Sequence, residues 1–282
     1  MFDNMHIGIF AKTFVRRSLE ETLDAVKEHG LDLIQLNMSC LGLPTLPEKP
    51  EWEAAEEAKR TFDKKKITVC AVSGTYNMAH PDPQVRRRGL DRLKNLAAVC
   101  RAMGTPVITL CTGSRDPDNM WRFHPGNAAP EAWEDLVFSM EEALAIADEY
   151  QLTLAIEPEP ANVVSNAERA KTLLDLMQSP RLKVVMDAAN LFGSGNRPDM
   201  RGEMDRAFDL LGDHIILAHA KDVAPGDTLL YVAAGQGVLD YDHYLSLLKQ
   251  CPRDVPLILH GLDESRVPES VAFLQDKLNK RE

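Results

Sequence analysis

The chain has 282 residues, 44% of them apolar, and a formal net charge of −11. That length suits one large α/β domain or two smaller ones, and the apolar share is enough for a sizeable core. The acidic balance argues against a nucleic-acid partner, no segment is long and apolar enough to span a membrane, and the five cysteines lack CxxC spacing, as expected of reduced thiols in a cytoplasmic protein.

The first strand is expected at "HIGIF" from His6, within an apolar run too short for a signal peptide. A helix follows, with Ser18 as N-cap, Glu21 completing a capping box and Gly30 as the stop. "LDLIQLN" from Leu31 reads as the second strand, and the Pro-rich "LGLPTLPEKP" from Leu41 as the loop after it. The third strand is "ITVCAVSG" from Ile67. It leads through "YNMAHPD" to a helix capped by Asp82, with Pro83 at its first position and Gly104 at its end. "PVITLCTG" from Pro106 is the fourth strand.

The longest connection comes next, from Thr112 to Ala129, and a loop of that length reads as functional or mobile. Trp133, Leu136, Met140 and Leu144 then recur at helical spacing. Four further strands are expected at "LTLAIE" from Leu152, "LKVVMD" from Leu182, "HIILAHAK" from His214 and "VPLILHG" from Val255. "GSGN" from Gly193 has no strand-to-helix context and reads as a turn. Eight strand–helix units predict an α/β fold, a (β/α)8 TIM barrel, as a single domain over residues 1–282. A doubly wound sheet is disfavoured because no GxGxxG follows the first strand.

The last four strands share a feature. The fifth ends at Glu157, the sixth at Asp187, the seventh contains His219 and the eighth is followed by His260. A single strand-end Asp is often a helix cap, and a single buried His is more often a core residue than a ligand. Four such residues on successive strands of a barrel converge on one pocket and make a mixed oxygen/nitrogen set for a divalent metal.

"IEPE", "VVMDAANLF", "HAKD" and "GQGVLDY" resemble the xylose isomerase-like TIM barrels, the sugar phosphate isomerase/epimerase superfamily, along essentially the whole chain. The resemblance implies a divalent metal held by Glu157, Asp187 and His219. The family's fourth ligand is a glutamate ending the eighth strand. Here His260 takes that place, with Glu264 four residues later, and Asn190 stands where the family has a substrate-binding histidine. The implied activity is isomerisation or epimerisation of a sugar, sugar phosphate or hydroxy-ketone through an enediolate-type intermediate, with Glu157 and either Glu264 or Glu159 as the candidate catalytic carboxylates.

One Mn, Co, Zn or Mg ion is expected as cofactor, with Mn or Zn favoured by the imidazoles. The partner is a small carbohydrate, and a homo-oligomer is compatible with the fold. Asn77, His80, Arg115, Asn190 and Lys221 are the expected substrate contacts, with Arg115 or Arg122 closing the long loop over it. Rival readings are a dehydratase-like lyase on a polyol, an endonuclease IV-like phosphoesterase and a barrel that binds without catalysis.

Overall fold

In the computed structural model, which describes residues 5–192, 199–226 and 229–279, eight parallel strands close into a ring. They are β1 (Ile7–Phe10), β2 (Leu33–Leu36), β3 (Thr68–Ser73), β4 (Val107–Cys111), β5 (Thr153–Glu157), β6 (Leu182–Asp187), β7 (Ile215–Val223) and β9 (Leu257–Leu259). Each pairs with the next, and β9 pairs with both β7 and β1, which shuts the barrel. The expected TIM barrel is therefore the fold. The one strand not foreseen is β8 (Tyr231–Ala233), which runs antiparallel to the end of β7. The expected turn at 193–196 lies outside the described residues.

Eight helices surround the ring: α1 (Leu19–Glu28), α2 (Trp52–Lys65), α3 (Pro83–Met103), α4 (Pro130–Tyr150), α5 (Ala167–Met177), α6 (Met200–Leu211), α7 (Tyr241–Gln250) and α8 (Val267–Asn279). The sequence signals for their ends hold. Ser18 accepts from the Glu21 amide at the start of α1, and the Glu21 carboxylate accepts in turn from the Arg17 amide. Asp82 accepts from the Gln84 amide, Pro83 opens α3, and Gly104 closes it in the left-handed conformation.

A large apolar layer lies between helices and strands. A second, smaller cluster fills the barrel itself: Phe10, Leu33, Ala71, Ala155, Val185, Leu217 and Ile258, with Val107 against them. Alternate residues of a strand share a face, so the residues two places further on form the next layer up. Those residues are Gln35, Ser73, Thr109, Glu157, Asp187 and His219, with His260 just past the end of β9; Lys12, two places after Phe10, lies exposed on the 3-10 turn that follows β1. The apolar plug is thus capped at the C-terminal end of the barrel by a wholly polar ring.

The "GQGVLDY" stretch is explained by Asp222, which is buried one residue after Lys221. Its Oδ1 accepts from the amides of Val223 and Leu239, and its Oδ2 from those of Gly235 and Gly237. Gly235 has φ +87°, and a Cβ on Gly237 would stand 2.3 Å from Asp222 Oδ1, so both positions require glycine. One carboxylate therefore folds the β8 arm back onto the barrel mouth.

Asp222→Ala leaves four backbone donors without that acceptor. It is expected to cost roughly 2–4 kcal/mol, since bonds to a charged acceptor are worth more than neutral ones and two donors are buried. Urea unfolding measures this. A loss of only a few tenths would show that the arm does not depend on Asp222.

Candidate metal centre

Asp187, His219 and His260 are brought together by the end of β6, the middle of β7 and the first residue after β9. One ligand atom from each lies within 4.8 Å of the others. Asp187 and His219 are direct register partners across β6 and β7, and Tyr244 Oη, within 3.0 and 3.1 Å of the Met186 and His219 carbonyls, braces the two strands from behind. The rings of His219 and His260 stack at 4.5 Å and 8°, and Phe10 stacks on the outer side of His260.

Glu157 stands beside this group. Its Oε1 is 3.2 Å from His219 Nδ1 and accepts from Asn190 Nδ2 at 3.1 Å. Its Oε2 faces the Cys111 thiol at 4.0 Å. Lys221 Nζ lies 2.9 Å from Asp187 Oδ2 and donates to Asn190 Oδ1 at 2.8 Å, under the Tyr231 ring. Asn190 and Lys221, expected from sequence as substrate contacts, are therefore in the site.

Two buried polar atoms here have no aligned hydrogen bond: His260 Nδ1, and Asp187 Oδ2, whose contact with Lys221 is an ion pair. Burial, and the neighbouring His219, push the His260 imidazole well below its usual range, so it is neutral and able to ligate. Two carboxylates and two imidazoles with unspent lone pairs are a donor set that fits a divalent ion of the Mn, Co or Zn kind. Lys221 is pushed up: burial opposes its charge, but Asp187, Glu157 and Glu159 outweigh burial.

The two glutamates of "IEPE" are driven apart. Burial disfavours charge on Glu157, but the adjacent His219 and the Lys221 cation overcome it and hold the carboxyl at about 2. Burial and the negative Glu157 push Glu159 up to about 8. One carboxylate is kept ionised and its neighbour protonated near neutrality.

Other expected residues lie elsewhere. Glu264 is not gathered with the site. The chain turns at Gly261 (φ +69°), and Glu264 opens a 3-10 turn at the rim, where Arg16 grips it in a fork of 2.9 and 2.5 Å. Asn77 spends its amide on the Ser114 backbone and Asp116 carbonyl, and His80 faces the Pro117 carbonyl at 3.0 Å. Arg115 reaches the Ala79 carbonyl and Asp135, while Arg122 pairs with Asp116. The long loop is thus pinned by its own polar residues, and both guanidiniums expected to clamp substrate are paired with carboxylates.

Sequence reading missed Gln35, Thr109 and Phe10. Gln35 is 2% exposed, and its Oε1 lies 2.8 Å from His219 Nε2. The available signal was a lone Gln in the apolar second strand, two residues after an inward-facing leucine.

Residues 23–277 match the family described as xylose isomerase-like TIM barrel, and the chain belongs to that family. L-ribulose-5-phosphate 3-epimerase UlaE of Escherichia coli (strain K12) is 24% identical over 190 residues, 67% of this chain and 62% of that protein, so the match spans less than two thirds of that relative. Among solved structures, 3-keto-D-glucoside 4-epimerase YcjR from E. coli superposes with a TM-score of 0.75 at 16% identity, covering 97% of this chain and 100% of that one. The IOLI protein with a binding zinc atom gives 0.74 at 18% identity, over 97% and 96%. At these identities the structural likeness is one of fold.

The split between the glutamates has a consequence for stability. In metal-free protein, Glu159 holds a proton that the unfolded chain has released, so stability falls as pH rises from the ordinary carboxyl value of 4.5 to about 8. Glu159→Gln is expected to flatten this decline, gaining stability over the parent at the alkaline end and little at the acid end. Urea midpoints across that pH range, with chelator present, check it. Parallel curves for the two proteins would refute the assignment.

Proposed function

We propose that the chain is a divalent-metal-dependent isomerase or epimerase of a sugar, sugar phosphate or related hydroxy-ketone, moving a proton on the carbon beside the carbonyl. The observation that carries this reading is geometric: one ligand atom each of Asp187, His219 and His260 gathers within 4.8 Å, and Glu157 Oε1 stands 3.2 Å from His219 Nδ1. The family relationship and the epimerase relatives support it.

Asp187, His219 and His260, with Glu157 at their side, would hold the metal. When bound, the ion supplies Lewis-acid polarisation of adjacent substrate oxygens. The two imidazoles favour Mn or Zn over Mg, which prefers all-oxygen shells.

Glu157 is the base. Its Oε1 is oriented by Asn190, while Oε2, facing the Cys111 thiol, is free to take the proton. The Lys221 ammonium, 2.9 Å from Asp187 Oδ2, would stabilise the negative charge of an enediolate-type intermediate in this site. Glu159, rather than Glu264, takes the other part: a second carboxyl, held protonated, that returns a proton to the substrate. Two carboxyls suit epimerisation; a single base suffices for aldose–ketose exchange. The same acid could protonate a departing hydroxyl, which keeps the dehydratase-like lyase as the second reading. Phe10 and Tyr231 wall the site and limit water.

A panel of ketoses and ketose phosphates, assayed in D2O with added Mn or Zn, tests this. Turnover should place solvent deuterium on the carbon next to the carbonyl. Glu157→Gln should lower kcat by roughly 10²–10⁴-fold, the usual worth of a positioned base. Asp187→Ala should lose the metal on dialysis while keeping its fold. Undiminished turnover in Glu157→Gln, or full metal retention in Asp187→Ala, would overturn the assignment.

A further inference from the structure

Gln35 is almost fully buried, and an amide there is costly unless both its ends are bonded. Both are. Its Nε2 donates to Thr109 Oγ1 at 3.1 Å, and its Oε1 lies 2.8 Å from His219 Nε2. With the amide oriented this way its carbonyl oxygen only accepts, which assigns the hydrogen to His219 Nε2. The opposite ring edge, Nδ1, then faces Glu157 Oε1 at 3.2 Å and Asp187 Oδ2 at 3.8 Å.

A lone pair on Nδ1 facing two carboxylate oxygens is relieved by positive charge there: the Lys221 ammonium, 2.9 Å from Asp187 Oδ2, supplies part of it, and a metal ion among the three would supply the rest. The 3.2 Å from Nδ1 to Glu157 Oε1 suits two ligands of one ion, which stand roughly 3–3.5 Å apart, and the 3.8 Å to Asp187 Oδ2 is a few tenths of an ångström wider. The β2–β3 register shifts between Ile34 and Gln35, with the extra residue, Cys70, on β3, so that Gln35 lies opposite Ala71.

We propose that Gln35 is a positioning residue: its side-chain carbonyl, itself oriented by Thr109, keeps a hydrogen on Nε2 of His219 and so leaves Nδ1 as the nitrogen that ligates the metal. This rests on the metal-site reading above. Outer partners of this kind hold a ligating imidazole in one tautomer and orientation, and their loss costs roughly 10–100-fold in metal affinity. Glutamine at this place supplies the acceptor without adding a third carboxylate to the ring that already holds Glu157 and Asp187.

The test uses zinc affinity, measured by competition with a chromophoric chelator at one pH, and the ring nitrogen signals of His219 in 15N-histidine-labelled protein. Gln35→Met keeps the bulk and removes the acceptor; it should weaken zinc binding roughly 10–100-fold. Gln35→Glu keeps an acceptor that cannot donate, and should bind zinc at least as tightly as the parent. Thr109→Val changes no charge and frees the amide, and should fall between parent and Gln35→Met. A merely space-filling Gln35 would give the reverse order, with a buried extra carboxylate the most harmful change.

In the parent, Nε2 should carry hydrogen with and without zinc. An Nδ1-only tautomer in the metal-free parent, or Gln35→Met binding zinc as tightly as the parent, would overturn the proposal. A parent that takes up no zinc or manganese sinks the metal reading instead, and the tautomer in the metal-free protein then decides the role of Gln35 by itself.

Discussion

In a closed ring of parallel strands, side chains two residues apart on a strand stack one above the other on the inner face. Here that geometry turns an ordinary core into a site. The plug of Phe10, Leu33, Ala71, Ala155, Val185, Leu217 and Ile258 fixes the height of every strand against its neighbours. The residue one pleat step higher on each strand is polar, and the barrel closure points these residues at one another. A one-residue slip of β6 or β7 would send Asp187 or His219 outward among the helices and bring an apolar neighbour inward.

Burying that many polar groups is tolerable only because each charge answers another. Lys221 meets Asp187, and Asn190 links Lys221 to Glu157. Gln35 and Thr109 carry the network across the barrel to β4. His260 alone has a nitrogen with no hydrogen-bonding partner in this group, and its ring is held by stacking between His219 and Phe10. An imidazole fixed by its faces, with one nitrogen unbonded, has a lone pair or hydrogen to offer a ligand. The outer elements serve the same end. Asp222 ties the β8 arm down so that Tyr231 covers Lys221, and Arg16 holds the β9–α8 turn to the β1–α1 loop through Glu264.

The eight barrel strands were legible because each is a short apolar run followed by a helix, with caps marking the starts of α1 and α3, and both signals are local. β8 was not, since three residues paired antiparallel to a strand end carry no period of their own. Glu157, Asp187, His219 and His260 stood out because a charge or imidazole breaks an apolar run. Gln35 did not, because an uncharged amide in a strand looks unremarkable until its partner across the barrel is known. Glu264 was misjudged from nearness in sequence to His260, which the turn at Gly261 undoes. Asn77, His80 and Arg115 were read by residue type as substrate contacts. Their hydrogen bonds go to the backbone of adjoining loops and, for Arg115, to Asp135 of α4, and these polar groups must be satisfied first.

The central claim is that the polar ring above the plug is a metal site in which an imidazole from the eighth barrel strand replaces a carboxylate. Crystals of the metal-loaded protein, with anomalous data collected at the zinc or manganese edge, address it directly. The account predicts one peak at roughly 2.0–2.2 Å from His219 Nδ1, an Asp187 oxygen and a ring nitrogen of His260. A peak held elsewhere on the chain, or one beside Asp187 and His219 with His260 turned away, would contradict it.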